Sequence, residues 1–363
     1  MKNIIKALVV LASVVSFSSA NAGVLEVTGT AKATYSIQGS DSTTGKNDAG
    51  KGVGITNELA FTGTGELDNG YTWKYQVELD DTAAGTFTSS DDTRLEVTTP
   101  YGTVAAYNTE GGLSTKYKYS AAAYGAGSDV GASGNINYGA AIDGYNNLQY
   151  HTPADLLPLG ISAKYALAPS ADSGKSSGNS NTTNTSENKA QQYQVTMEPI
   201  SGLTLGASYM DKEGEKGTIQ GYETGGYYGT YAQGPFTIGY GEHYVANNIS
   251  TVTSQTTATA LNTAALKGTV KHFENQMYSV GYKINDQLSV SYDQEKSDAA
   301  KRTIVTATKA DTAAEVELEV STIQAAYTMG GMTLSVSMKD ISNADYVLNK
   351  DQKETLLAVV MAF

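Results

Sequence analysis

From Val24 to Ile37 the chain alternates without a break. Leu25, Val27, Gly29, Ala31, Ala33, Tyr35 and Ile37 carry no charge, while Glu26, Thr28, Thr30, Lys32, Thr34 and Ser36 between them are polar. A period of two predicts a β-strand with one apolar and one polar face. Strands in soluble sandwiches alternate too, but they average about five or six residues, whereas a tilted strand crossing a bilayer needs about 9–11. This one is long enough to cross.

The same phase returns in GITNELAFTGTGEL, with Ile55, Leu59, Phe61 and Leu67 on one face. After the turn Asp68-Asn69-Gly70, which is strong hairpin chemistry, it returns in YTWKYQVELD with Tyr71, Trp73, Tyr75, Val77 and Leu79. Later segments repeat the design as far as the terminal KETLLAVVMAF, and the pattern predicts an all-β chain of about sixteen strands. One segment departs from it. Val316, Leu318 and Val320 are even, whereas Ile323, Ala325 and Tyr327 are odd, so a β-bulge is expected near Ser321-Thr322 to restore the facing.

The connections alternate between tight turns, such as Pro100-Tyr101-Gly102 and Ile200-Ser201-Gly202, and long polar stretches such as 39–52, 111–144, 168–190, 247–271 and 298–314. Short turns at one end and long loops at the other are the pattern of a transmembrane antiparallel β-barrel, with the short turns periplasmic and the long loops external. In a bilayer every backbone donor and acceptor must be paired within the protein, so strands can span only as a closed barrel. Sixteen strands leave an aqueous channel.

Composition agrees. Gly 38, Tyr 25, Trp 1 and Pro 6 suit strands and turns, and a polar lumen accounts for a mean hydropathy of −0.29. The first 22 residues form a leader: Lys2 and Lys6 are the charged region, Ala7 to Phe17 the apolar run, and Ala20-Asn21-Ala22 the cleavage site. The mature chain is expected to be one domain, residues 23–363. Without the two lysines the formal charge moves from −13 to about −15, which argues against nucleic acid. There is no cysteine, hence no disulfide framework.

Facing assigned by alternation puts Tyr35, Tyr165, Tyr193, Tyr209 and Tyr240 near the outer ends of strands, and Tyr71, Tyr282 and Tyr327 near the periplasmic ends. Two aromatic girdles against the lipids are expected from them.

With Leu357, Val359 and Met361 at alternate positions before the terminal Phe363, the mature chain resembles the sixteen-stranded Gram-negative porins. TRLEVTTPYGTVAAY and NNLQYHTP followed by GISAKY resemble internal hairpins of that family. The resemblance implies a water-filled channel for small hydrophilic solutes. It also implies a terminus read by the barrel-assembly machinery, and a loop after the fifth strand that narrows the pore. That loop is 111–144 by position only. It lacks the Pro-and-acid motif common in enterobacterial members, and Arg94 and Arg302 are the only arginines, so the family's arginine cluster is mostly missing. Lys32, Lys74 and Arg94 are the best substitutes on the wall, facing Glu78 and the loop acids Asp129 and Asp143. A homotrimer is also implied, packed through the small row Gly29, Ala31, Ala33 and the apolar stretch Leu356 to Ala362.

The alternation assigns twelve acids to the lumen: Glu26, Glu58, Glu66, Glu78, Asp80, Glu96, Glu198, Asp293, Glu295, Glu315, Glu317 and Glu319. Seven bases join them: Lys32, Lys74, Arg94, Lys164, Lys212, Lys283 and Lys339. A cation preference follows. His151, His243 and His272 lie in different hairpins without ligand spacing, so no metal, no cofactor and no enzyme chemistry is expected. A channel selective for one solute class is the alternative reading. A secreted β-rich adhesin would need a fixed repeat, which is not seen.

Overall fold

The computed structural model describes residues 23–40, 50–80, 92–153, 155–169, 189–213, 218–247, 249–250, 270–301 and 315–363. The expected leader lies outside them. The first strands are β1 (Val24–Ser40), β2 (Gly50–Glu66), β3 (Thr72–Asp80), β4 (Thr93–Thr99), β5 (Gly102–Asn108) and β6 (Asn147–His151). Then come β7 (Ser162–Ala168), β8 (Ala190–Ile200), β9 (Leu203–Lys212), β10 (Thr218–Gln220), β11 (Tyr222–Gln233) and β12 (Phe236–Ala246). The last are β13 (Ile249–Ser250), β14 (Val270–Lys283), β15 (Leu288–Lys301), β16 (Glu315–Met329), β17 (Met332–Ser342) and β18 (Gln352–Ala362). β10 and β13 make a small separate sheet, and the other sixteen close one antiparallel barrel in sequence order. The expected strand count and closure are both observed.

Closure is made by β18 against β1, in register from Thr30↔Ala362 to Ser40↔Gln352. Phe363 extends it: its backbone N–H donates to the Gly29 carbonyl at 3.0 Å, and Gly29 N–H donates back at 2.9 Å. A Cβ on Gly29 would lie 2.7 Å from the Phe363 ring, so the small residue leaves room for that ring. Leu357 and Met361 are exposed on the outward face, alternating with the buried Leu356 and Ala358.

Outward positions carry the tyrosines. The rings of Tyr165 and Tyr193 lie 5.1 Å apart, those of Tyr240 and Tyr278 5.2 Å, and Tyr282 is 4.7 Å from Phe236. Tyr209 and Tyr327 are exposed, Tyr35 is half-buried on β1, and Tyr71 immediately precedes β3.

The expected bulge in β16 is absent. The pairings of β16 with β15 and β17 run without a register shift, and one phase holds throughout. Val316, Leu318 and Val320 turn inward and are buried, which sends Glu315, Glu317 and Glu319 outward, not into the lumen. The reason is a change of surroundings along the strand. Towards the turns the outer face is apolar, with Ile323 and Tyr327, and needs lipid. Towards the long loops the outer face meets water and the inner face meets protein.

There the inward Val245, Val270, Phe273, Val316, Leu318, Val320 and Ile341 form an apolar core with Tyr346, from the short turn Ala344–Tyr346. Outside them Lys296 pairs with Glu317 at 3.4 Å and with Glu319 at 3.6 Å. The polarity of the wall inverts with no change of register.

Candidate functional site

The chain between β5 and β6, residues 109–146, enters the barrel and crosses to the far wall. A backbone placed in a lumen still needs hydrogen-bond partners, and inward side chains of the wall supply them. On the outbound leg Gln194 donates to the Leu113 carbonyl at 3.0 Å. The Thr115 and Ser208 hydroxyls lie 2.9 Å apart. Ala121 N–H donates to Ser279 at 2.7 Å, Ala123 N–H to Ser291 at 2.8 Å, and Tyr124 N–H to Gln324 at 3.0 Å. At the far wall Ala132 N–H donates to Glu354 at 2.6 Å, and Lys339 donates to the Ala132 carbonyl at 2.9 Å. On the return leg Asn275 donates to the Asn137 carbonyl at 3.0 Å, and Ile142 N–H donates to Gln192 at 2.9 Å.

Glycines make the seat. A Cβ on Gly239 would lie 1.7 Å from the Tyr119 carbonyl oxygen, and one on Gly281 would lie 2.4 Å from that of Ala121. Glu295, fully buried, accepts from the Tyr119 and Tyr138 hydroxyls and, at 3.2 Å, from Ser128 N–H. Burial and the adjacent carboxylate push both phenols well above their ordinary pKa, so they remain donors.

The opposite wall, β1 to β4, stays half-exposed and holds the predicted pore residues. Lys74 and Glu96 are register partners on β3 and β4. Arg94 donates to Gln76 at 3.1 Å and pairs with Glu110 at 3.1 Å and Glu96 at 4.0 Å. Gln76 in turn donates to Glu78 at 3.2 Å, so Arg94 and Glu78 belong to one network. Lys32 stands two strands away on β1, opposite Thr56 and Val360. Asp129 and Asp143 are exposed, on the outer and return legs of the loop.

Sequence reasoning missed Glu110, at the foot of the loop. Burial raises its carboxyl above the usual range, and Arg94 pulls it only partly back. It also missed Lys116 and Lys118, which put positive charge on the loop itself; the Lys116 ammonium sits 4.7 Å over the Tyr117 ring.

The lumen charge balance needs correction. Asp293 and Glu295 face inward but lie under the loop, with 1 % and 0 % exposure. Lys339 is buried beside Glu354 at 3.6 Å, and the three glutamates of β16 face outward. The Asp80 side chain lies outside the described residues. Of these, among the described side chains, six acids remain open to the lumen, Glu26, Glu58, Glu66, Glu78, Glu96 and Glu198, against six bases, Lys32, Lys74, Arg94, Lys164, Lys212 and Lys283. Among the described residues no cluster of His, Cys, Asp and Glu is placed to hold a metal ion.

Three solved structures share this architecture. OmpF of Salmonella typhi in complex with daunomycin aligns with TM-score 0.61 at 16% identity, over 94% of this chain and 98% of its own. The anion-selective porin from Comamonas acidovorans aligns with TM-score 0.62 at 13% identity, over 94% and 100%. OmpT of Vibrio cholerae, in its trimer form, aligns with TM-score 0.57 at 11% identity, over 94% and 100%. At these identities the likeness concerns the fold. No curated protein sequence matches the chain. The sequence itself matches the Gram-negative porin family over residues 7–308. With that match, a closed sixteen-stranded wall and a loop folded into its lumen, the chain belongs to the Gram-negative porins and is a channel-forming barrel of the outer membrane.

Proposed function

We propose that the protein is a general-diffusion channel for small hydrophilic solutes and ions, with a weak preference for cations. The observation that carries this reading is the asymmetry of burial around the lumen. Under the loop, inward residues such as Ser297, Gln324 and Ser337 are buried, whereas Lys32, Lys74, Glu78, Arg94 and Glu96 on the facing wall are not. A polar passage between that wall and the loop suits hydrated solutes.

Among the described side chains those wall charges balance, so the sign of the preference is read from the loop. Glu110, Asp129 and Asp143 there outnumber Lys116 and Lys118. A surplus of one charge supports only weak selectivity, screened further as salt rises. In planar bilayers the purified protein should show single-channel conductance and, under a tenfold KCl gradient at low ionic strength, a small zero-current potential of the sign for potassium. A potential of the chloride sign would refute the ion preference, and a lack of conductance would refute the channel reading.

The same reading makes the chain a homotrimer, in line with the trimer form of the Vibrio cholerae structure; its packing face is taken as β1 and β18 from the small row Gly29, Ala31, Ala33 and the apolar Leu356 to Ala362. Its tyrosine rows sit at the lipid interfaces. The residues Leu357, Val359, Met361 and Phe363 form the signal read by the assembly machinery. The folded role of that signal is the β1–β18 closure described above.

A further inference from the structure

A groove of about 440 Å³ lies across β9, β11, β12 and β14, and along it outward residues alternate with Ser208, Thr224, His243 and Asn275, whose side chains are buried on the inner side. Tyr209, Tyr227 and Tyr244 are its exposed aromatic sides, and Glu223, Glu242 and Glu274 its acids. The registers fix how they meet. Gly225 stands between Tyr209 and Tyr244 in one cross-strand row, and Tyr227 pairs with Glu242 in the next. Without a side chain at Gly225 the rings border a depression. Neither lysine nor arginine lines it, so three carboxylates face it without a countercharge from its own walls. Tyr240 donates its hydroxyl to Glu242, and His272 lies 3.2 Å from Glu274.

The height of the groove is set by the rows around it. One row further towards the turns, outward positions are Tyr240 and Tyr278; below these come Ile238, Val280 and Tyr292, all apolar or aromatic and exposed. On the loop side are Asp211, Glu223 and His272. The groove therefore opens where the lipid-facing band ends and the water-facing collar begins.

We propose that this groove binds the ammonium headgroup of a membrane amphiphile. Aromatic faces attract a cation through their quadrupole when it lies within about 6 Å of the ring, and adjacent carboxylates add charge complementarity that a neutral lipid cannot use. An inorganic divalent ion would use the carboxylates and gain little from the rings. The lipid source follows from position, because an amphiphile seated here keeps its chain against the apolar rows below. This site lies on the outside of the barrel and is independent of the passage through it.

The test uses the full-length mature protein in maltoside micelles, titrated with the trimethylammonium derivative of diphenylhexatriene and, separately, with its uncharged parent, followed by fluorescence anisotropy. Saturable binding of the cationic probe alone, at one site per chain, is expected. Tyr227→Ala and Glu242→Gln should each weaken it about tenfold, and Tyr227→Phe should retain it. Heat-resistant gel mobility and unchanged conductance establish that each variant is folded. Four results would overturn the proposal: no saturable binding, equal binding of the uncharged parent, displacement by magnesium with no effect of Tyr227→Ala, or tetramethylammonium bound as tightly as the amphiphile.

Discussion

Substituting Gly239 by alanine adds a single methyl group beneath the inserted loop. The built Cβ would sit 1.7 Å from the Tyr119 carbonyl oxygen and 2.8 Å from its carbon, contacts that must open to at least 3.0 Å. The wall cannot yield, because β12 is paired on both sides, Gly239 with Thr230 on β11 and with Ser279 on β14. The loop must lift, and it is tied at this point by Tyr119 to Glu295, by Ser120 to Asp293 at 3.4 Å and by Ala121 to Ser279.

Losing the bond to a buried carboxylate costs about 1.5–3 kcal/mol, and exposing the fully buried Tyr119 ring costs about 1.5–3 kcal/mol more. These are local costs, so the barrel should still form. In planar bilayers G239A should show a smaller mean single-channel conductance with added flicker, because the lifted loop moves into the passage facing β1 to β4, and a cysteine placed at Ser120 should react faster with a water-soluble thiol reagent. Gly52→Ala, where nothing lies within 4 Å of the new methyl, is the control and should behave as wild type. Wild-type conductance and unchanged thiol reactivity in G239A would refute the seating of the loop on β12.

Glu110 should make ion preference pH-dependent: its raised carboxyl takes up a proton at a higher pH than an ordinary carboxylate, leaving Arg94 less compensated. The zero-current potential should therefore move towards chloride as pH falls, and E110Q should show that shift already at neutral pH. Leu318→Ala removes a fully buried side chain from the core at the loop end and should cost about 2–5 kcal/mol, read as a lower melting temperature of the heat-resistant form. Glu317→Ala should cost no more than about 1 kcal/mol by the same assay, as its ion pair is exposed. Deleting Phe363 removes both backbone bonds to Gly29, so export should persist while the yield of heat-resistant barrel falls; normal yield would count against its role in closure.

The strands were legible because lipid outside and water inside impose a period of two, and the alternation of turn and loop lengths set their order. β16 was misread for an instructive reason. Its alternation was detected, but an inversion of polarity looks like a shift of register when the surroundings are assumed constant along the strand. Val316, Leu318 and Val320 face inward because residues 109–146 lie there.

The path of that loop was only partly accessible. Its length and place were visible, yet its contacts join residues as distant as Tyr119 and Glu295, and no local pattern reports them. One signal was available: Gly239, Gly241 and Gly281 occupy lumen phase on paired strands, where bulky polar residues would otherwise be free to project. Glu110 was overlooked because it belongs to no strand and acquires its meaning from the ion pair with Arg94 on β4, which no local pattern reports.

The inverted collar also fixes how deep the molecule floats. Glu274, Asp298, Glu315, Glu317 and Glu319 crowd the outer surface of β14 to β16 just above the apolar rows. Drawing them into hydrocarbon would meet a penalty for each charge that grows with depth. A sinking barrel would submerge several at once, so the waterline cannot drift upward along the wall. In a bilayer thicker than the apolar band the lipids must thin at the rim, a smaller cost per ångström of mismatch than burying charge. The apolar core on which Ala132 and Ile136 of the loop pack stands above this waterline, and that packing is thereby decoupled from the thickness of the membrane around it.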